Sequence, residues 1–148
     1  MNVSFLHQTF AAFVVLTMAS ICDISLAHDA EHGKVRVTEL SRRDIVEKLN
    51  GKNASATVVE VAFEPGQQDT PHTHAGPVFG YVIEGEYEHA IDEGPVTRFK
   101  AGDTFYEPSG CIHRVARNPS SKMKTRLLAV ILGPRGETKV TLPVRASH

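Results

Sequence analysis

Charge of one sign is what this sequence most plainly lacks. Sixteen Lys and Arg stand against 17 Asp and Glu in 148 residues, a formal net charge of −1. That balance excludes a basic field able to attract nucleic acid, and it excludes an acidic tail. Cysteine is scarce, with only Cys22 and Cys111. Long hydrophobic runs are missing too. The N-terminal run Phe10 to Ile21 (FAAFVVLTMASI) is apolar or small throughout but spans only 12 residues, too few to cross a bilayer as a helix. No internal repeat and no low-complexity segment is present. A hydrophobic content of 41% and a charged content of 22% instead describe one ordinary globular domain.

The short apolar run fits the core of a secretory signal, and Ser25-Leu26-Ala27 places small residues at the −3 and −1 positions of a cleavage site. No Lys or Arg occurs in Met1 to Thr9, so the α-amino group alone supplies positive charge there; no arginine precedes Arg36, which excludes a twin-arginine signal. Ile21 before Cys22 fits a lipoprotein signal poorly. The expectation is export to the periplasm or beyond with cleavage near Ala27 and no stable membrane insertion, an uncleaved anchor being the alternative. Loss of residues 1–27 leaves Cys111 as the sole cysteine, so no intramolecular disulfide can form and the fold must rest on its core.

Past a leader at 28–33, the chain reads as many short β-like runs. Val35 to Thr38 alternates, and Ser41 to Leu49 suggests one or two helical turns stopped at Asn50-Gly51. Ala56 to Phe63, Val78 to Ile83, Glu86 to Ile91, Val96 to Phe99, Thr104 to Glu107, Ile112 to Ala116 and Arg126 to Leu132 follow, each ending near Gly, Pro, Asn or Asp. Strands this short, with turn chemistry at such intervals, predict an all-β sandwich or barrel and not a βαβ protein. The organisation is then a leader and arm at 28–53, an antiparallel β-barrel at 54–133, and a tail at 134–148 whose Thr138–Leu142 piece suits a sheet edge or a neighbouring subunit.

Within this pattern His72 and His74 occupy positions i and i+2 of a β-like stretch, so their imidazoles share a face. Eight histidines are present, which makes an isolated H-x-H weak by itself. Its complement is GDTFYEPSGCIH, Gly102 to His113, where a Pro108-Ser109-Gly110 turn starts the strand carrying His113. A small barrel brings distant strands to one interior, where three neutral imidazoles can converge at the ~2.0–2.2 Å a metal requires.

These residues resemble the two motifs of the cupin superfamily, a double-stranded β-helix or jelly roll. Gly66, His72-Thr73-His74 and Gly85 match the first; Gly102, Pro108-Ser109-Gly110 and His113 match the second, in the right order and with intact spacing. The resemblance covers roughly residues 54–133. It implies a metal held by His72, His74 and His113, with iron or manganese favoured; an exported chain also meets zinc and copper, toward which imidazole affinity rises. It implies a homodimer as well. Two positions depart from the pattern: Val78 (or Phe79) stands where the first motif carries its glutamate ligand, and Arg117 stands at the asparagine position, with Asn118 one residue late. Three neutral histidines leave the +2 charge uncompensated, which strengthens Lewis acidity and leaves positions open for a chelating substrate and O₂ or water.

Some cupins with three-histidine iron sites are dioxygenases, so the leading expectation is a dioxygenase-like metalloenzyme on a small oxygenated organic molecule. The alternatives are a non-catalytic ligand-binding or sensing cupin and an inert barrel used for interaction. Other side chains have plainer readings. Cys111 reads as a small buried residue, Tyr106 as barrel packing and Glu107 as a solvated strand end, with the cavity as the alternative for each. Glu84, Glu86, Glu88 and His89 read as a wet strand face from which one carboxylate could replace the missing ligand. Arg114 and Arg117 read as outward structural residues, with anion binding second. His28 and His32 belong to the leader, and His7 leaves with the signal.

Overall fold

The computed structural model describes residues 34–144; the expected signal, the leader and the leader's histidines lie outside them. Ten strands make up this unit: β1 (Arg36–Leu49), β2 (Lys52–Phe63), β3 (His72–Thr73), β4 (Val78–Glu84), β5 (Glu86–Ile91), β6 (Thr97–Lys100), β7 (Thr104–Glu107), β8 (His113–Arg117), β9 (Thr125–Pro134) and β10 (Leu142–Pro143). They form two five-stranded sheets, ordered β1-β2-β9-β4-β7 and β10-β3-β8-β5-β6, with every pairing antiparallel. The fold is the expected all-β jelly roll.

One expectation fails. Ser41 to Leu49 is not helical: it continues β1, paired with β2 from Ser41 opposite Val58 to Leu49 opposite Lys52. The cause is the Asn50-Gly51 dipeptide, in which both residues have positive φ, 51° and 76°. Such a pair closes a two-residue hairpin whose twist matches the strands it joins. As a hairpin turn it folds the preceding segment back onto β2; as a helix stop it would have left that segment free to coil.

The core lies between the sheets. On β9, alternate residues Thr125, Leu127, Ala129, Ile131 and Gly133 turn inward and are buried, the period of 2 that a sheet face demands. Phe63, Val82, Tyr87, Phe105, Ala116 and Leu127 form one apolar cluster, and Val59, Val78, Ala129 and Ile131 form another. Gly80 lets the Phe105 ring lie flat on the β4 backbone, since a Cβ there would sit 2.0 Å from the ring. Residues of both apolar clusters wall a cavity that His72, His74, Glu107 and His113 also line.

Candidate metal centre

β3 is short but pins the site. His72 lies directly opposite His113 of β8, so both side chains project to the same interior face. His74 follows two residues later on that face. The ring centroids of His72 lie 4.9 Å from those of both His74 and His113, and the latter two are 6.3 Å apart. One ligand nitrogen from each of the three falls within 4.8 Å of the others. The three histidines expected from the sequence therefore meet.

Their protons can be placed. His72 Nδ1 lies 2.8 Å from the Thr70 carbonyl, and His74 Nδ1 lies 2.6 Å from the Val140 carbonyl. A carbonyl only accepts, so each Nδ1 carries the hydrogen and each Nε2 presents a lone pair. This is the tautomer a metal-binding imidazole needs, fixed by a second hydrogen bond. Burial pushes the His74 pKa down, outweighing the pull of Glu107. Burial likewise pushes His113 down to about 3, again against Glu107. Both rings are neutral at ordinary pH.

Residues read from the sequence as surface groups complete the site. Glu107 is only 2% exposed, not a solvated strand end. Its Oε1 lies 3.3 Å from His113 Nδ1 and 3.5 Å from His89 Nε2, and its Oε2 lies 3.4 Å from His74 Nε2. Burial pushes its carboxyl up, but the nitrogens of His89, His113 and His74 outweigh this and hold it below the usual carboxylate range. His89 is buried as well, between the rings of Phe105 and His113, at 5.1 and 4.6 Å. The Tyr87 hydroxyl, which burial keeps protonated, lies 3.1 Å from His113 Nε2. Tyr106, expected inside, is 52% exposed and stacks on Phe79 outside the barrel at 5.1 Å. Strand phase explains the exchange: β7 turns Phe105 and Glu107 inward and Tyr106 outward.

The supposed wet face across the β4–β5 turn divides. Glu84 and Glu86 are exposed as expected, whereas Glu88 is buried and bound by Arg98 and Arg117. Arg114 donates to the carbonyls of Asp92 and Gly94, and both arginines keep their structural reading. Cys111 is buried and belongs neither to the three-histidine cluster nor to a second cluster of His89, Glu107 and His113. Asn118 holds a loop, donating from Nδ2 to the carbonyls of Glu64 and Met123.

The cavity is partly open and mostly apolar, with a volume of about 50 Å³, walled by Val59, Val61, Val78 and Ile131 and edged by Val140 and Thr141. Its polar lining has an unmet need. Glu107 Oε2 and His89 Nε2 are buried without a hydrogen-bond partner. Oε2, an acceptor, faces the lone pair of His74 Nε2, which is unfavourable unless a cation lies between them. The donor set thus fits a divalent metal, and a family model described as a cupin domain matches residues 59–131. The barrel is a cupin.

Solved structures agree. A conserved double-stranded β-helix protein from Klebsiella pneumoniae subsp. pneumoniae MGH 78578 superposes with a TM-score of 0.57 at 24% identity, covering 76% of this chain and 87% of its own. A DMSP lyase from Ruegeria pomeroyi DSS-3 gives 0.55 at 22% identity, over 74% of this chain and 51% of that one. An oxalate oxidase in complex with the substrate analogue glycolate gives 0.50 at 26% identity, over 65% and 49%. No curated protein matches by sequence. The first two likenesses show the cupin fold, and the chemistry must come from the site itself.

Proposed function

We propose that this cupin holds one divalent metal through His72, His74 and His113 and acts as a metal-dependent, dioxygenase-like enzyme on a small oxygenated organic molecule. The observation that carries the reading is the pair of Nδ1–H donors spent on the Thr70 and Val140 carbonyls, which leaves two Nε2 lone pairs aimed into a buried cavity. When bound, the metal supplies Lewis acidity toward a carbonyl, enol or carboxylate oxygen. The chain does the rest. Neutral His74 and His113 do not compete with protons for the ion, the Tyr87 hydroxyl accepts the Nε2–H of His113 and so leaves its Nδ1 lone pair to the site, and the valine and isoleucine walls exclude water.

Size narrows the substrate. One water occupies roughly 10–15 Å³ on this measure, so a cavity of about 50 Å³ suits a compact molecule of few heavy atoms. The DMSP lyase and oxalate oxidase neighbours support a small oxygenated substrate. The same size also supports a second reading, a binding or sensing cupin that captures a small chelating ligand without turnover. Iron or manganese is the favoured ion, the protein is exported, and it assembles as a homodimer.

Metal content of the purified protein tests the reading. About one ion per chain is expected, lost in a His72→Ala/His74→Ala variant that keeps its circular dichroism spectrum. Iron or manganese with oxygen uptake on diketones or phenolic compounds supports the enzyme. Ligand-dependent stabilisation without product supports the binder. No metal after reconstitution with several ions would end both.

A further inference from the structure

The carboxylate that this cupin lacks at position 78 has a replacement one strand away. Val78 on β4 lies directly opposite Glu107 on β7 in the antiparallel ladder. Directly opposed residues project to the same face with Cβ atoms ~4.5–5.5 Å apart. Both side chains are buried, each at 2% exposure. A glutamate at 107 therefore reaches the space that a glutamate at 78 would fill.

We propose that Glu107 is a metal ligand, completing a three-histidine, one-carboxylate set with His72, His74 and His113. The inference rests on the metal reading above and adds the ligand that reading omits. Three features of the site carry it. Glu107 Oε2 is buried without a hydrogen-bond partner. The atom it faces, His74 Nε2 at 3.4 Å, is itself a lone pair, so neither can satisfy the other. The third is spacing. Two ligands ~2.1 Å from a common ion at a tetrahedral angle stand about 3.4 Å apart. Each carboxylate oxygen of Glu107 stands at that distance from one histidine: Oε2 3.4 Å from His74 Nε2 and Oε1 3.3 Å from His113 Nδ1.

Glu107 also changes the charge of the site. One carboxylate compensates half of a divalent ion's charge, so bound water is less acidic than under three neutral imidazoles alone. Two arrangements of the same ligand types then become equivalent: carboxylate on β4, as in the usual motif, or carboxylate on β7 with an apolar residue on β4. His89 Nε2 lies 3.5 Å from Oε1, beside the carboxylate and without a hydrogen bond to it.

Cobalt(II) titration of the purified protein, read by visible absorption and by competition with a chromophoric chelator, tests the assignment. Glu107→Gln keeps the shape and removes the charge. It is expected to weaken Co²⁺ binding at least 100-fold and to shift the ligand-field bands, with little change in melting temperature. The exchange variant Val78→Glu/Glu107→Val moves the carboxylate back across the ladder, and it is expected to bind within about 10-fold of the parent. Parent-like affinity and spectrum in Glu107→Gln would overturn the inference while leaving the histidine site intact. Weaker binding with an unchanged spectrum would also overturn it, making Glu107 a positioning group. Absence of Co²⁺ binding by the parent protein itself would overturn both readings.

Discussion

Cys111 and Glu88 are both buried, Glu88 against two arginines. Burial pushes the Cys111 thiol up to about 11. Relative to an ordinary thiol this lowers the thiolate fraction about 100-fold at neutral pH, and only the thiolate is nucleophilic. Alkylation by iodoacetamide is therefore expected to run at least 100-fold slower in the native protein than in urea, as mass spectrometry would follow. Equal rates would show that the residue is open to solvent. Glu88 is held below the usual carboxylate range by its hydrogen bond from Arg98, against burial and with help from Arg117. A depressed folded-state pKa means stability that is present above the unfolded value, ~4.3, and lost as pH falls through the folded value. Urea unfolding should show parent and Glu88→Gln differing by a constant amount from pH 8 to 5, with the difference shrinking toward pH 3. A difference that grows on acidification would contradict the pairing. At this scale the sequence was legible where ligands lie close together in the chain. His72 and His74 needed only the period of a strand, and His113 needed a turn of fixed length. For Glu107 the cavity was only the second reading, because its place opposite Val78 is a cross-strand relation that no local pattern contains.

Among the elements, β1 was misread and the tail underrated. The apolar spacing of Ile45, Val46 and Leu49 admits a helix, and only pairing with β2 selects the strand. The tail does more than lie along an edge. Leu142 and Pro143 pair with Thr73 and His72, Arg42 donates to the carbonyls of Glu137 and Thr138, and the Val140 carbonyl fixes the His74 tautomer. Residues 137–143 are thus a strap tied at both ends across the metal centre. Truncation after Gly136 is expected to leave the barrel folded by circular dichroism while weakening Co²⁺ binding 10–100-fold, the usual cost of losing a group that orients a ligand. Undiminished affinity would mean that His74 needs no such support.

On the scale of the molecule, the outer face of the β1-β2-β9-β4-β7 sheet breaks the usual rule of polar residues outward. Across it run Tyr106, Phe79, Val130 and Val58 in one register row, with Tyr81 and Leu128 in the next. Phe79, Tyr81 and Tyr106 are each more than 40% exposed. The charge bordering these rows, Arg126, is already paired with Glu60 and Glu84, so the face calls for an apolar occupant. Five strands ~4.8 Å apart and about eight residues long give roughly 24 by 25 Å, of the order of the ~800 Å² per partner that stable interfaces use. We propose a second copy, face to face, as the form of the homodimer. Sedimentation at about 10 μM should give twice the chain mass for the parent and the single mass for Phe79→Glu/Tyr106→Glu. A dimer that survives the substitutions would place the contact elsewhere, such as the free edge of β1, and a monomeric parent would remove the dimer altogether.

The strap also sets an order of events in time. The carbonyl that sets the His74 proton belongs to Val140, 66 residues further along the chain. While the protein is being synthesised, His72, His74 and His113 all emerge before the segment that orients one of them. The site is finished only when Val140 is free to dock. At the proposed metal site, a growing chain that has not yet reached Val140 offers an ion three histidines but no finished cage.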